Sequence, residues 1–148
     1  MPIDPIEPGQ IYRDRRFYRD SAGEFKSKYV LILAISPGND LIFSLLTSRQ
    51  HGRPTDPRCF HGHPYPGFYL GTLGNPLSRD SWLDLRGLHE AEHDAFLRDM
   101  ADHIISPITA LEAAVLLESL DCAAAAEDTT RHQERTILDT RARLAANL

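Results

Sequence analysis

Long hydrophobic runs are missing from this chain of 148 residues. The longest, Val30 to Ile35, is the length of a strand, which excludes a membrane-spanning helix. The opening residues, Met1-Pro2-Ile3-Asp4-Pro5, have neither the basic flank nor the apolar stretch of a signal peptide. Cysteine is scarce: Cys59 and Cys122 stand far apart, in neither a metal-type nor a redox-type spacing. They read as two unrelated reduced thiols, and the expected compartment is the cytoplasm. Internal repeats and low-complexity tracts are also lacking, since Ala123 to Ala126 reads as a helix end. An excess of cations is absent too, and the net charge of −5 argues on its face against a nucleic-acid partner.

The length and a 42% hydrophobic content suit one domain, 1–148, with one core. Charge is divided unevenly along it. Residues 1–60 hold nine Lys/Arg against seven Asp/Glu, and residues 61–148 hold seven against fourteen. Arg13, Arg15, Arg16, Arg19, Lys26 and Lys28 crowd together in the first part. Such a local basic face suits phosphates while the rest of the molecule repels them. The same residues also suit a solvated edge strand protected by its charges.

The local signals describe an α+β chain, mainly β over 8–89 and helical over 90–148. Pro8-Gly9 closes a disordered lead-in, and a strand from Gln10 carries Ile11, Tyr12 and Phe17. Asp20-Ser21-Ala22-Gly23 marks a turn. Tyr29 to Ser36 is almost wholly apolar, as a central strand would be. The turn Pro37-Gly38-Asn39-Asp40 and a strand from Leu41 to Thr47 complete an antiparallel hairpin. The stretch Ser48 to Pro66 lacks periodicity and reads as a functional or mobile loop. Phe68 to Leu70 and Ser81 to Leu85 read as short strands, the second with Trp82 and Asp84 facing away from Leu83 and Leu85. Glu90 to Asp102 suits a short helix. Ser106 as N-cap with Pro107 at the first helical position predicts a helix to about Ala124, with Ile108, Leu111, Val115 and Cys122 along one stripe. Thr130 with Gln133 fits a capping box, opening a last helix whose apolar face is Ile137, Leu138 and Leu144.

His89-Glu90-Ala91-Glu92-His93 matches H-E-x-x-H. On a helix the two imidazoles share a face and would grip zinc while Glu90 activates its water, with Glu112 as a third ligand; this is the pattern of a small zinc-dependent hydrolase. Against it stand Gly87 two residues before the first His, the strand-like segment preceding it, and the charge of Glu92 at a core-facing position. The competing account is a polar first turn in which Glu90, Glu92 and Asp94 favour the positive helix N-terminus. His61-Gly62-His63 is a weaker metal signal.

The segments Pro8-Gly9-Gln10-Ile11-Tyr12, Lys28-Tyr29-Val30-Leu31-Ile32-Leu33 and Leu45-Leu46-Thr47-Ser48 follow one another in an order that resembles the MazF/PemK family of type II toxin–antitoxin ribonucleases. Ser81 to Leu85 and the helix expected from Ser106 lie where that family has its later strands and C-terminal helix. The likeness spans roughly residues 8–122, and the helix from Thr130 is an addition. It implies a small SH3-like antiparallel β-barrel with C-terminal helices, usually a homodimer, inhibited by a cognate antitoxin protein. The implied activity is endoribonuclease cleavage of single-stranded RNA with no cofactor and no metal. The ribose 2′-hydroxyl attacks the adjacent phosphate, which calls for a proton acceptor and for stabilisation of the developing charge. By position Thr47 and Ser48 match the family's Thr-Ser pair. The family's Arg-Pro becomes Lys28-Tyr29, which trades a bidentate fork for a point charge. Lys28, Thr47 and Ser48 are therefore the candidate catalytic residues. Arg13, Arg15 and Lys26 are further cations for the substrate, and His51, His61 and His63 are candidate acids or bases. Arg49 and Tyr65, with Phe68 at the end of the loop, are candidates for gripping and stacking bases. The missing Arg leaves open a non-catalytic module that binds RNA or protein.

Overall fold

A computed structural model describes residues 5–148; residues 1–4, and with them the start of the expected lead-in, lie outside the description. The elements in chain order are β1 (Gln10–Arg19), β2 (Phe25–Ile35), β3 (Asp40–Thr47), β4 (Cys59–Phe60), β5 (Gly67–Gly71), β6 (Ser81–Glu92), α1 (His93–Ala101), β7 (Ile105–Ala110), α2 (Ala113–Ala124) and α3 (Arg131–Ala146). The strands form one antiparallel sheet in the order β4-β5-β6-β3-β2-β1-β7. The fold is thus α+β. Among the described residues no ladder joins β4 to β7, so the sheet is open rather than closed into a barrel.

Residues directly opposite on paired strands share a face, and successive residues alternate between faces. On one face Ile11, Leu31, Ile42, Leu83 and Leu85 are buried beneath Leu116 and Leu120 of α2 and Ile137 of α3. On the other, Tyr12, Val30, Ile32, Leu41 and Phe43 gather around Phe96 of α1. Tyr12 meets Phe96 edge-on at 5.1 Å between ring centres. Both faces of β2 are therefore covered, which explains its unbroken apolar run. The hairpin expected at Pro37 to Asp40 is present. Asn39 takes the left-handed conformation (φ 65°), and the Ser36 hydroxyl accepts the Asp40 N–H at 3.0 Å.

The capping box is also present: Thr130 Oγ1 accepts the Gln133 N–H at 3.1 Å, and Gln133 Oε1 accepts the Thr130 N–H at 3.0 Å. Ile137 is buried below that start, whereas Leu138, expected beside it, is exposed.

Further readings of the sequence are corrected. Ser106-Pro107 does not begin a helix, because residues 105–110 form β7 along the free side of β1, with Pro107 opposite Tyr12. An edge strand tolerates a residue without an N–H, and the hydrogen bonds offered by β1 outweigh a local cap signal. His89-Glu90-Ala91-Glu92-His93 is not helical: its first four residues end β6, and the helix starts at His93. His89 stacks on Phe43, while Glu90 accepts a hydrogen bond from Gln133 of α3 at 3.0 Å on the opposite face, so the three residues do not converge on a metal. The polar first turn is reduced with it to Asp94 alone. Finally, Cys59 and Cys122 are not unrelated. Separated by 63 residues, they come together as a disulfide that fastens β4 to α2. No described helix is long and apolar enough to cross a membrane.

Candidate functional site

The face that carries α1 is covered by that helix around Phe96 and by the loop 48–66 over Trp82, which is 3% exposed and donates its indole N–H to the Pro54 carbonyl at 3.1 Å. Between the two, β6 changes its course. Phe43 pairs with His89 and Leu45 with Asp84, so the four residues Leu85 to Leu88 bulge opposite Ser44 alone. Gly87 makes this bend at φ 126°, a conformation that L side chains rarely adopt. The bulge opens a cavity of about 310 Å³ lined by Leu45, Asp84, Arg86, Gly87 and His89. His89 lies flat against Phe43, with Phe17 edge-on to it at 5.5 Å.

Beside this cavity the loop 48–66 is organised by one residue that sequence reasoning passed over. Arg53 is 1% exposed, although it belongs to a stretch with no periodicity. Its Nε donates to the Pro66 carbonyl at 3.2 Å and its Nη1 to the Arg49 carbonyl at 3.0 Å, tying together the two ends of the loop. Nη2 lies 3.6 Å from Asp84 Oδ1 and makes no hydrogen bond. A Cβ on Gly67 would come within 2.7 Å of both the Arg53 Cδ and the Leu83 carbonyl, so glycine is required for this close passage. Asp84 also receives Arg86 in a two-point fork, with Nε at 2.9 Å from Oδ1. Burial pushes the Asp84 carboxyl up, but the hydrogen bonds and charge of Arg86 and the charge of Arg53 prevail and hold it below the usual carboxylate range. Burial lowers the Arg53 guanidinium from its ordinary value, and Asp84 opposes that shift. Tyr65 lies between the two arginines, its ring centre 5.4 Å from Arg53 and 4.9 Å from Arg86, and His51 stacks on it at 4.4 Å.

Thr47 closes β3 opposite Trp82. Its hydroxyl oxygen accepts the Arg49 N–H at 3.1 Å, which leaves its proton free to donate. Ser48 and Arg49 follow in exposed positions. Lys28, half-buried, pairs with Asp14 of β1. The β2–β3 ladder ends at Val30 opposite Leu45, and Lys28 and Thr47 each lie two residues beyond that last pair. Lys28, Thr47 and Trp82 thus follow the row Val30, Leu45 and Asp84 on one face. Contacts through Arg53 and Tyr65 link Thr47, Arg49 and His51 with Asp84 and Arg86, and His89 lines the same cavity as the last two.

Other candidates are placed elsewhere. Arg13 pairs with Tyr29 and so projects from the opposite face to Lys28. Arg15 reaches the His103 carbonyl beside β7. Lys26 is held at the β1–β2 turn by Asp20 at 3.4 Å and Glu24 at 3.9 Å. His61 and His63 turn towards the α2 side: His61 Nε2 lies 2.9 Å from the Cys122 carbonyl, and His63 pairs with Glu127 at 3.0 Å. Phe68 is buried in the core and cannot stack on a base. Arg53 and Arg86 had no sequence signal beyond their charge, since it is the β6 bulge and the loop closure that assemble them.

Comparison with known proteins finds no family model, no curated protein and no solved structure that matches this chain.

Proposed function

We propose that this protein acts on single-stranded RNA as a MazF/PemK-like toxin, a metal-independent endoribonuclease whose sheet is an opened form of the SH3-like barrel. The reading is supported by one observation: Lys28 of β2 and Thr47 of β3 lie on neighbouring strands, each two residues beyond the pair Val30–Leu45, and Leu45 lines the cavity that holds Arg86 and His89. In this reading the RNA backbone crosses that cavity. The ribose 2′-oxygen bonds to phosphorus while the bond to the 5′-oxygen of the next nucleotide breaks, leaving a 2′,3′-cyclic phosphate and a free 5′-hydroxyl. Lys28 and Arg86 stabilise the charge that builds on the phosphoryl oxygens. The Thr47 hydroxyl donates to the same group and orients it, Ser48 lies beside it, and His89 is the imidazole placed to exchange protons. Tyr65 and His51 offer stacked rings to a flanking base, and Arg49 a further cation. A cytoplasmic site of action, a homodimer and a small antitoxin that covers this face belong to the same proposal.

The engagement of Asp84 with both Arg53 and Arg86 favours a second reading. An arginine already held in a two-point fork is less free to take a phosphate. A non-catalytic module that retains RNA without cutting it would result. The test is incubation of the pure protein with a long single-stranded RNA in excess EDTA, with the cut ends mapped. Discrete cuts ending in cyclic phosphate, reduced at least about a hundredfold in Thr47→Ala and Lys28→Ala, are expected for loss of transition-state donors. RNA that is bound and stays intact selects the module instead, and cleavage unchanged in Thr47→Ala removes Thr47 from the chemistry.

A further inference from the structure

On the far side of the molecule, the strand β4 and the helix α2 meet at three groups that the RNA-facing end does not use. Cys59, His61 and Cys122 each present a ligand atom, all within 4.8 Å of one another. His61 Nε2 lies 3.3 Å from the Cys59 sulfur and 3.5 Å from that of Cys122. A disulfide by itself needs no imidazole. A nitrogen directed at both sulfurs is the arrangement that a thiolate-bound cation needs, and sulfur with imidazole selects zinc or a softer ion over magnesium or calcium. The Cα atoms of the two cysteines are 5.6 Å apart. From that spacing the side chains reach either each other or the ~3.8 Å between two thiolates that share one tetrahedral ion at ~2.3 Å each.

The surroundings suit entry and completion of a site. The three residues line an open groove together with Asp56, Glu118 and Asp121. Asp121 is engaged by Arg141 at 3.1 Å. Glu118 stands one helical turn before Cys122 on α2, so positions i and i+4 place it on the same face as a further carboxylate lining the groove. Cys59 is half-buried and His61 exposed, so a reductant and a cation both have access.

We propose that Cys59, His61 and Cys122 form a redox-gated site for a zinc-like cation. In the oxidised protein the two sulfurs are bonded, and His61 Nε2–H donates to the Cys122 carbonyl. Two equivalents of a small thiol reduce the bond by exchange: each cysteine gains one electron and one proton, and the small thiols leave as their disulfide. The cation then displaces both thiol protons. The imidazole carries its proton on Nδ1 and ligates through Nε2. Reoxidation by a low-molecular-weight disulfide releases the cation and restores the cystine. In both states β4 stays fastened to α2, so the end of the loop 48–66 that carries Cys59 is pinned whether the compartment is oxidising or reducing.

The test uses the full chain, reduced with a phosphine in the absence of air, and cadmium as the probe. One equivalent of cadmium per chain should produce thiolate-to-metal charge-transfer absorption in the ultraviolet, reversed by excess EDTA. The oxidised chain should give none. His61→Gln, at an exposed position, should keep the circular dichroism and melting temperature of the parent. It should bind cadmium at least about tenfold more weakly, the loss seen when even an outer partner of a metal site is removed. Cys59→Ser should abolish the absorption. If Cys122→Ser fails to fold because Cys122 is buried, the His61 variant still decides. A reduced chain that takes up no cadmium, or a His61→Gln chain that binds it as tightly as the parent, overturns the proposal. Neither result bears on RNA cleavage in EDTA.

Discussion

Replacing Asp84 by Asn asks what makes a buried cation tolerable beside the β6 bulge. Arg53 is 1% exposed, and its unpartnered Nη2 lies 3.6 Å from Asp84 Oδ1. Once Asp84 is neutral, the guanidinium keeps the repulsive charge of Arg86 nearby and has no carboxylate to offset it, only the Tyr65 ring. Breaking a buried pair from the carboxylate side in this way costs about 3–5 kcal/mol. Arg53→Met should behave differently, because it removes the cation together with its desolvation cost while filling a similar space. Asp84 then keeps Arg86, and the Pro66 carbonyl keeps the Leu85 N–H at 3.2 Å. Only the Arg49 carbonyl, on an exposed residue, loses its donor, so the cost should be about 1–2 kcal/mol. In the double variant the amide at position 84 no longer faces a buried charge, and the coupling between the two changes should reach roughly 2–3 kcal/mol. Urea unfolding of the parent, both single variants and the double variant measures the cycle. The reasoning fails if Asp84→Asn is no more destabilising than Arg53→Met, or if the two effects add to within about 0.5 kcal/mol.

The acid side of the stability profile follows from the same carboxylate. Its folded pKa lies below the unfolded value of about 3.9, so the stability it contributes is present above that value and is lost as pH falls through the folded pKa. Chemical unfolding measured from pH 7 down to pH 2 should therefore show an acid loss in the parent that is shallower in Asp84→Asn; parallel curves would contradict the shift. At the start of α3, Thr130→Ala removes one half of a reciprocal cap and should cost about 1 kcal/mol, read as a lowered melting temperature. An unchanged melting temperature would mean that this helix start contributes little to the folded state.

How far the chain can be read without its tertiary structure depends on the distance between interacting residues. The hairpin at Pro37 to Asp40 and the cap at Thr130 were legible because every group involved lies within a few positions, and the chemistry of Gly, Asn and Thr acts there directly. The apolar run of β2 likewise announced a strand covered on both sides. Ser106-Pro107 misled for the converse reason: a cap signal is worth about a kilocalorie per mole, and the open edge of β1, about ninety positions away, offers a whole ladder of hydrogen bonds. The His89 to His93 pattern failed in the same manner, since pairing with β3 holds its first residues extended and sends His89 and Glu90 to opposite faces.

The site divides along the same line. Thr47 and Lys28 could be named from the order of short β segments, but that they share a face of neighbouring strands depends on the register between β2 and β3. Arg53 looked like any loop cation, because its burial depends on the Pro66 carbonyl, on the absence of a Cβ at Gly67 and on Asp84 from another strand. The two cysteines, 63 residues apart, showed no relationship until β4 was laid against α2. By itself the sequence determined the α+β class, the local turns and caps and the apolar pattern of the central strands, since these rest on short-range sterics and burial preference. Only the tertiary structure decided which edge residues 105–110 would join, which charges would be buried and which side chains would meet, because those outcomes are set by partners that are distant along the chain.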